Sequence, residues 1–118
     1  MLAELTGELT VFLVTGYTDM RKSIDGLAAI VQGVLKMDPF SRSLFLFCGR
    51  RRDRIKALLW ENDGFLLMYK RLDNGTFKWP RTETQAKQLS SQELRWLLEG
   101  LELEQPEAIK PGVKGALY

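Results

Sequence analysis

The chain has 118 residues, enough for one domain with a sizeable core, and its 45% hydrophobic and 27% charged residues are a globular balance. It contains no histidine and a single cysteine. That removes the usual general base near neutral pH, Ser–His and Cys–His nucleophile pairs, an intrachain disulfide and a Cys/His zinc site.

The net charge of +2 is unevenly spread: residues 1–41 sum to −2, residues 42–81 to +6 and residues 82–107 to −4. A basic middle beside an acidic end points to a polyanionic partner on one face. No apolar run approaches the roughly 18–20 residues that span a bilayer, and Met1-Leu2-Ala3-Glu4 lacks a basic leader pattern. A cytoplasmic, reducing setting is expected, with nucleoid association when bound to a nucleic acid.

Residues 1–8 carry no clear pattern. Leu9 to Val14 is a β-branched, apolar run that reads as a first buried strand. Gly16 breaks it, and Thr18 or Asp19 is placed to cap a helix. In that helix Ile24, Leu27, Ala28, Val31, Val34 and Leu35 recur on one face. Gly26 inside it costs about 1 kcal/mol relative to alanine, which a close approach to a sheet would justify. Asp38-Pro39 stops it.

Leu44 to Pro80 reads as a meander of four antiparallel strands: Leu44–Cys48, Ile55–Trp60, Phe65–Leu72 and Thr76–Trp79. The gaps carry turn chemistry at Gly49, at Asn62-Asp63-Gly64 and at Asp73-Asn74-Gly75. Further on, Ser90 and Glu93 have capping-box spacing, and Leu89 and Leu94 have the spacing of a hydrophobic staple. Leu94, Leu97, Leu98 and Leu101 form the stripe of a second helix that Gly100 ends. Residues 105–118 read as an extended or disordered tail, rich in proline and glycine. The expectation is one α+β domain over residues 1–104, with a largely antiparallel sheet in β-α-β-β-β-β-α order and two helices packed on one face.

Alternation assigns faces to the meander. With a turn at Glu61 to Gly64, Trp60 opposes Phe65, Leu58 opposes Leu67, Lys56 opposes Tyr69 and Arg54 opposes Arg71. Ile55, Ala57, Leu59, Leu66, Met68 and Leu72 fall on the other, helix-covered side. The next hairpin has two registers: a three-residue loop sets Trp79 beside Tyr69, and a two-residue loop sets Lys78 there. Arg54, Lys56, Tyr69 and Arg71 thus mix cations with a ring, joined by Lys70, Lys78 and Trp79. Cations neutralise phosphates and rings stack on unpaired bases. Arg50, Arg51 and Arg52 sit at a turn from which they could reach a phosphate backbone. Arg21 and Lys22 fall in the first turn of the first helix, where the helix dipole disfavours cations unless an anion or a nearby acid is present. The plain alternative for all of these is a solvated sheet whose edge charges prevent aggregation.

The same residues carry a resemblance. Thr18-Asp19-Met20-Arg21-Lys22-Ser23-Ile24-Asp25-Gly26-Leu27, Asp38-Pro39-Phe40-Ser41, Arg50 to Lys56, Leu59-Trp60, Asp63-Gly64-Phe65, Tyr69 to Leu72 and Phe77-Lys78-Trp79-Pro80 are in register with one family. Together they resemble the accessory protein of insertion-sequence-66 elements, called TnpB or second-open-reading-frame protein. Arg42 and Arg52 stand where that pattern usually has glycine, and the second is expected to add charge at a turn and to alter its backbone conformation. The resemblance implies a bacterial mobile-element protein, encoded beside a separate acidic-triad transposase and needed for transposition, with no established catalytic residues; no cofactor is expected.

A metal-dependent nuclease would need clustered carboxylates. Asp19, Asp25, Asp38, Glu61, Asp63 and Asp73 each have a plainer role in a cap, an ion pair or a turn. Cys48 ends an apolar run and reads as a small buried hydrophobe. Trp96 lies off the leucine stripe and is available for a partner contact. The leading expectation is a non-catalytic accessory protein that binds DNA at element ends. The alternative is an adaptor that binds the transposase without specific DNA contact.

Overall fold

Residues 9–103 are described by the structure, a computed structural model; residues 1–8 and the expected tail, 105–118, lie outside them. The first apolar run forms β1 (Thr10–Val14), and the longer one forms β2 (Ser43–Cys48) parallel to it, with Thr10 opposite Ser43 and Leu13 opposite Leu46. Adjacent parallel strands need a crossover. The amphipathic segment between them supplies it as α1 (Ile24–Ala29), continued by a π-helical turn over Ile30–Val34. β3 (Arg54–Trp60) and β4 (Phe65–Arg71) extend the sheet as an antiparallel hairpin, and β5 (Ala86–Leu89) pairs antiparallel with β1 at the other edge. The strand order is β4-β3-β2-β1-β5, and α2 (Ser91–Leu98) follows the last strand. The α+β class, the largely antiparallel sheet and the order of elements are as expected.

The placement of the helices is not. They lie on opposite faces of the sheet. α1 and its π-helical extension bury Leu27 and Val31 with Val14, Phe45, Phe47 and Leu58. α2 buries Leu94 and Leu97 on the other face, with Leu13, Leu44, Leu46, Cys48, Ile55 and Ala57. The reason lies in β2, whose six residues are all buried. A strand with no polar alternation has no face to offer water and must be covered twice.

The β3–β4 register is the one alternation implies, from Trp60 opposite Phe65 to Arg54 opposite Arg71. Asn62 takes the left-handed φ of +73° that this turn needs. The fourth meander strand does not form. Thr76 to Pro80 leaves the edge of β4 and folds beneath the sheet, where Phe77 is wholly buried and Trp79 is 5% exposed. The Phe77 N–H donates to the Arg52 carbonyl at 2.7 Å, and the Trp79 indole N–H donates to the Val14 carbonyl at 2.9 Å. A period-two pattern fits this arrangement as well as it fits a strand. Burying two aromatic rings outweighs ladder bonds that water could replace. The sheet's fifth strand is instead the short, polar Ala86-Lys87-Gln88-Leu89.

α1 also starts later than Thr18 or Asp19 suggest. Its N-cap is Ser23, so Arg21 and Lys22 precede the helix. Thr18 is buried and donates its N–H to the Cys48 carbonyl at 2.8 Å, while Asp19 folds a local turn that accepts the Lys22 N–H. Gly26 faces the Lys22 side chain rather than the sheet: a Cβ there would lie 3.2 Å from Lys22 Cβ. α2 has the expected capping box between Ser90 and Glu93, with Leu89 and Leu94 both buried beneath it. Its end is a Schellman closure, in which Leu101 N–H donates to Trp96 O and Gly100 N–H to Leu97 O, with Gly100 at φ +79°. The stripe therefore ends at Leu98, and Leu101 is exposed.

Among the described residues no helix is long and apolar enough to cross a membrane. Truncating Phe77 to alanine should lower unfolding free energy by about 3–5 kcal/mol in urea denaturation. Lys78→Ala should stay within about 0.5 kcal/mol of the parent. A near-neutral Phe77→Ala would contradict the buried placement.

Candidate nucleic-acid interface

Because β1 and β2 are parallel, their carboxyl ends, Val14 and Cys48, open on the same side of the sheet. β4 returns to that side as well, since Arg71 lies opposite Arg54. Three irregular connections meet there and satisfy one another's backbone. Thr15 N–H donates to Gln85 O at 2.9 Å, Gly16 N–H to Pro80 O at 2.9 Å and Leu72 N–H to Asp53 O at 2.7 Å. The Thr15 hydroxyl donates to Glu83 O at 2.6 Å. The packing is close enough to exclude side chains at two points. Gly16, at φ +75°, would bring a Cβ to 3.2 Å from Thr82 O and Thr84 Oγ1. A Cβ on Gly49 would lie 2.7 Å from Met20 Cγ.

These connections carry most of the basic residues named in the sequence, and pairing divides them. Arg21 is held by Asp19 at 2.8 Å, and this hydrogen bond, with the Arg21 backbone N–H, pulls the Asp19 carboxyl down to about 2. Arg54 is held by Asp53 at 3.0 Å, which lowers the Asp53 pKa and raises that of the guanidinium. Arg50, Arg51, Arg52 and Arg81 have no carboxylate within ion-pair distance among the described residues. Arg50 donates to the Tyr17 hydroxyl at 2.6 Å, with its guanidinium carbon 4.6 Å from the centre of that ring.

Arg52 is the most constrained. Its φ is +61°, the left-handed region that favours glycine, and its Nε is buried with no hydrogen-bond partner. Arg52 thus sits on a backbone of the kind that favours glycine.

The sheet face is less cationic than alternation suggests. Lys56 is half-buried, donating to the Lys22 carbonyl at 2.8 Å with its ammonium 5.7 Å from the Tyr69 ring centre. Tyr69 is 54% exposed, Arg71 beside it is exposed, and Lys70 is exposed with alternation directing it to the opposite face. Lys78 is exposed, whereas Trp79 is a core residue whose indole N–H is already committed. It does not stand beside Tyr69 in either of the two registers.

Three adjoining clefts surround the Arg50–Arg52 turn. One of about 440 Å³ lies among Tyr17 to Arg21, Gly49, Arg50, Arg51 and Arg54. A second, about 370 Å³, lies among Gly16, Tyr17, Gly49, Arg50, Arg52, Trp79 and Arg81. A third, about 400 Å³, includes Arg52, Lys78, Arg81, Lys87 and Glu102. Tyr17, Arg81 and Lys87 were not singled out by sequence reasoning. Arg81 belongs to the basic segment, but only the burial of Trp79 and the Pro80–Gly16 bond bring it over the carboxyl ends. Tyr17 follows the glycine that ends the first strand, a position with no periodicity to read.

Among the described residues no group of three carboxylate, cysteine or histidine side chains is arranged to hold a metal ion. Cys48 is wholly buried, and burial pushes its thiol up to about 12.

Fold and surface together define an α+β domain with a cationic sheet end. Residues 9–108 match the model of the family described as IS66 Orf2 like protein. The chain belongs to that family, and so to the accessory proteins of insertion sequences. Two curated relatives come from Sinorhizobium fredii (strain NBRC 101917 / NGR234). The chain is 40% identical over 97 residues to the uncharacterized protein y4hO, covering 82% of this chain and 84% of the relative. It is 32% identical over 94 residues to the uncharacterized protein y4jC, covering 80% of each. No solved structure matches.

At pH 8 only about one Cys48 thiol in 10⁴ would be ionised, so a maleimide or disulfide reagent should label the folded chain negligibly and label it fully in urea. Rapid labelling without denaturant would contradict this burial.

Proposed function

We propose that the protein is a non-catalytic accessory subunit that binds DNA at the ends of an insertion sequence. The binding surface is the carboxyl end of the β1–β2 pair. The observation that carries this reading is the group of four arginines, Arg50, Arg51, Arg52 and Arg81, with no carboxylate partner among the described residues. Unneutralised guanidiniums gathered at one end of a domain gain by replacing the counterions of a phosphate backbone. Arg71, Lys70 and Lys78 widen the positive field, and Tyr69 offers a ring beside it. Arg21, Arg54 and Lys56 contribute mainly to the framework, because each is bonded to a protein acceptor, whereas the exposed Lys22 adds to the positive field. The subunit acts in the cytoplasm and at the nucleoid when bound.

Gel-shift titration on the element's terminal inverted repeats tests this. Four phosphate contacts should cost about a hundredfold in affinity between 50 and 200 mM salt. Combined Arg50→Glu, Arg51→Glu and Arg81→Glu substitutions should abolish the shift while leaving the melting temperature within a few degrees. No shift at low salt, or a shift untouched by the triple variant, would overturn the reading.

A second surface favours the adaptor role in addition. Phe40 is 53% exposed and sets its ring 5.0 Å from Trp60, edge-on, and 5.5 Å from Phe65, at the sheet end away from the arginines. An exposed aromatic on an aromatic base suits contact with a protein such as the transposase. Phe40→Ser should cut co-purification with the element's transposase at least about fivefold, with DNA binding unchanged. Equal recovery of the transposase would dismiss the role.

A further inference from the structure

The three clefts at the cationic end differ in what neutralises them. The 440 Å³ cleft contains Asp19, and the 400 Å³ cleft contains Glu102. The cleft of about 370 Å³ has three arginines, two aromatic rings and two glycines in its lining, and no acid. Three arginines lining one recess suit one concentrated negative group better than a row of spaced phosphates.

The lining has features of a built site. Gly16 and Gly49 fix the close packing behind it, since a Cβ on Gly16 would meet Thr82 O and Thr84 Oγ1 and one on Gly49 would meet Met20. Tyr17 is 59% exposed on its wall, and Arg50 fixes it by a hydrogen bond to the hydroxyl and a guanidinium over the ring. Arg52 bears two costs at one residue, a left-handed backbone and a buried Nε donor with no partner. Glycine would remove both. Both costs fall on a residue that lines the acid-free cleft, where its charge can be offset by a bound phosphate.

The shape narrows the ligand further. Proteins that read duplex DNA insert a protruding helix or ribbon into a groove. A recess of this volume, walled by rings and arginines, instead admits a unit the size of one nucleotide. We propose that this cleft takes a single unpaired nucleotide of a DNA strand. Arg52 and Arg81 hold its phosphate, and Tyr17 provides the stacking face. The inference rests on the DNA-binding reading above and specifies its ligand.

Fluorescence anisotropy on the full chain tests it, using a labelled single-stranded 12-mer and the same sequence as a blunt duplex at one salt concentration. The single strand should bind at least about tenfold tighter. Arg52→Gly should weaken single-strand binding about tenfold or more and duplex binding by a clearly smaller factor, while raising the melting temperature. That rise separates a lost contact from a lost fold. Tyr17→Ala should weaken single-strand binding about fivefold or more, and Arg21→Ala should have little effect. Duplex binding as tight as single-strand binding, or single-strand binding indifferent to Arg52→Gly, would overturn this inference and leave the DNA-binding reading standing. No binding to either form would overturn both. Displacement of the strand by deoxyadenosine monophosphate at equal affinity would make this a free-nucleotide site and overturn the strand assignment.

Discussion

The fold depends on burying β2 on both sides. Leu44, Phe45, Leu46, Phe47 and Cys48 are all at or below 1% exposure, with alternate residues facing opposite cores. Fully burying such side chains is worth roughly 1.5–3 kcal/mol each, which makes uncovering either face prohibitive for a chain of this size. α1 must therefore cross one face and α2 the other. The sheet remains one layer between them, with the hairpin of β3 and β4 on one side of β2 and β1 on the other. The second core is short of helix, since α2 spans only Ser91–Leu98. Phe77 and Trp79 fill the remainder from a segment with no regular structure.

That solution has a consequence at the sheet's end. A crossover helix on one face makes β1 and β2 parallel, so their carboxyl ends lie together and their connections must share one surface. Three connections gathered beyond two adjacent strand ends leave recesses between them. Arginines line these recesses because the connections are held chiefly by their backbones. Thr15, Gly16, Thr18, Arg52, Phe77 and Pro80 bond through main-chain groups. Several side chains of the same segments, those of Arg50, Arg51 and Arg81 among them, are left outside to meet solvent or a ligand.

Much of this was legible where local chemistry had one outcome. The β3–β4 register followed from a turn rich in asparagine and glycine between two alternating runs, and the Ser90–Glu93 capping box from spacing alone. Two-sided coverage is written in β2, in its lack of polar alternation, but the helix patterns alone do not assign the helices to faces, because two helices can share a face in an α+β domain. Trp79 was not legible: its alternation with Phe77 fits a strand or a coil anchored at every second residue, and only the whole core decides between them. β5 was hidden for the opposite reason. It is four residues long, carries Lys87 and Gln88, and owes its strand to an open edge of β1 rather than to propensity.

Charge was the least legible property, because net charge does not say which cations remain to be satisfied. Arg21 stands two residues from Asp19 and Arg54 next to Asp53, and both pairs close within their own turns. The Asp19 carboxyl, brought from an ordinary 3.8 to about 2, stays ionised above that pH. Its pairing with Arg21 therefore holds throughout the neutral range and weakens only as acidity approaches pH 2. An arginine so neutralised adds little attraction for a polyanion, whatever its exposure: the Arg21 side chain is 92% exposed and yet committed. Arg52 is the converse, half-buried and uncommitted, on a backbone that an arginine adopts at a cost. Exposure locates where a ligand could touch this protein, but the missing partner is what distinguishes the cations with something left to bind.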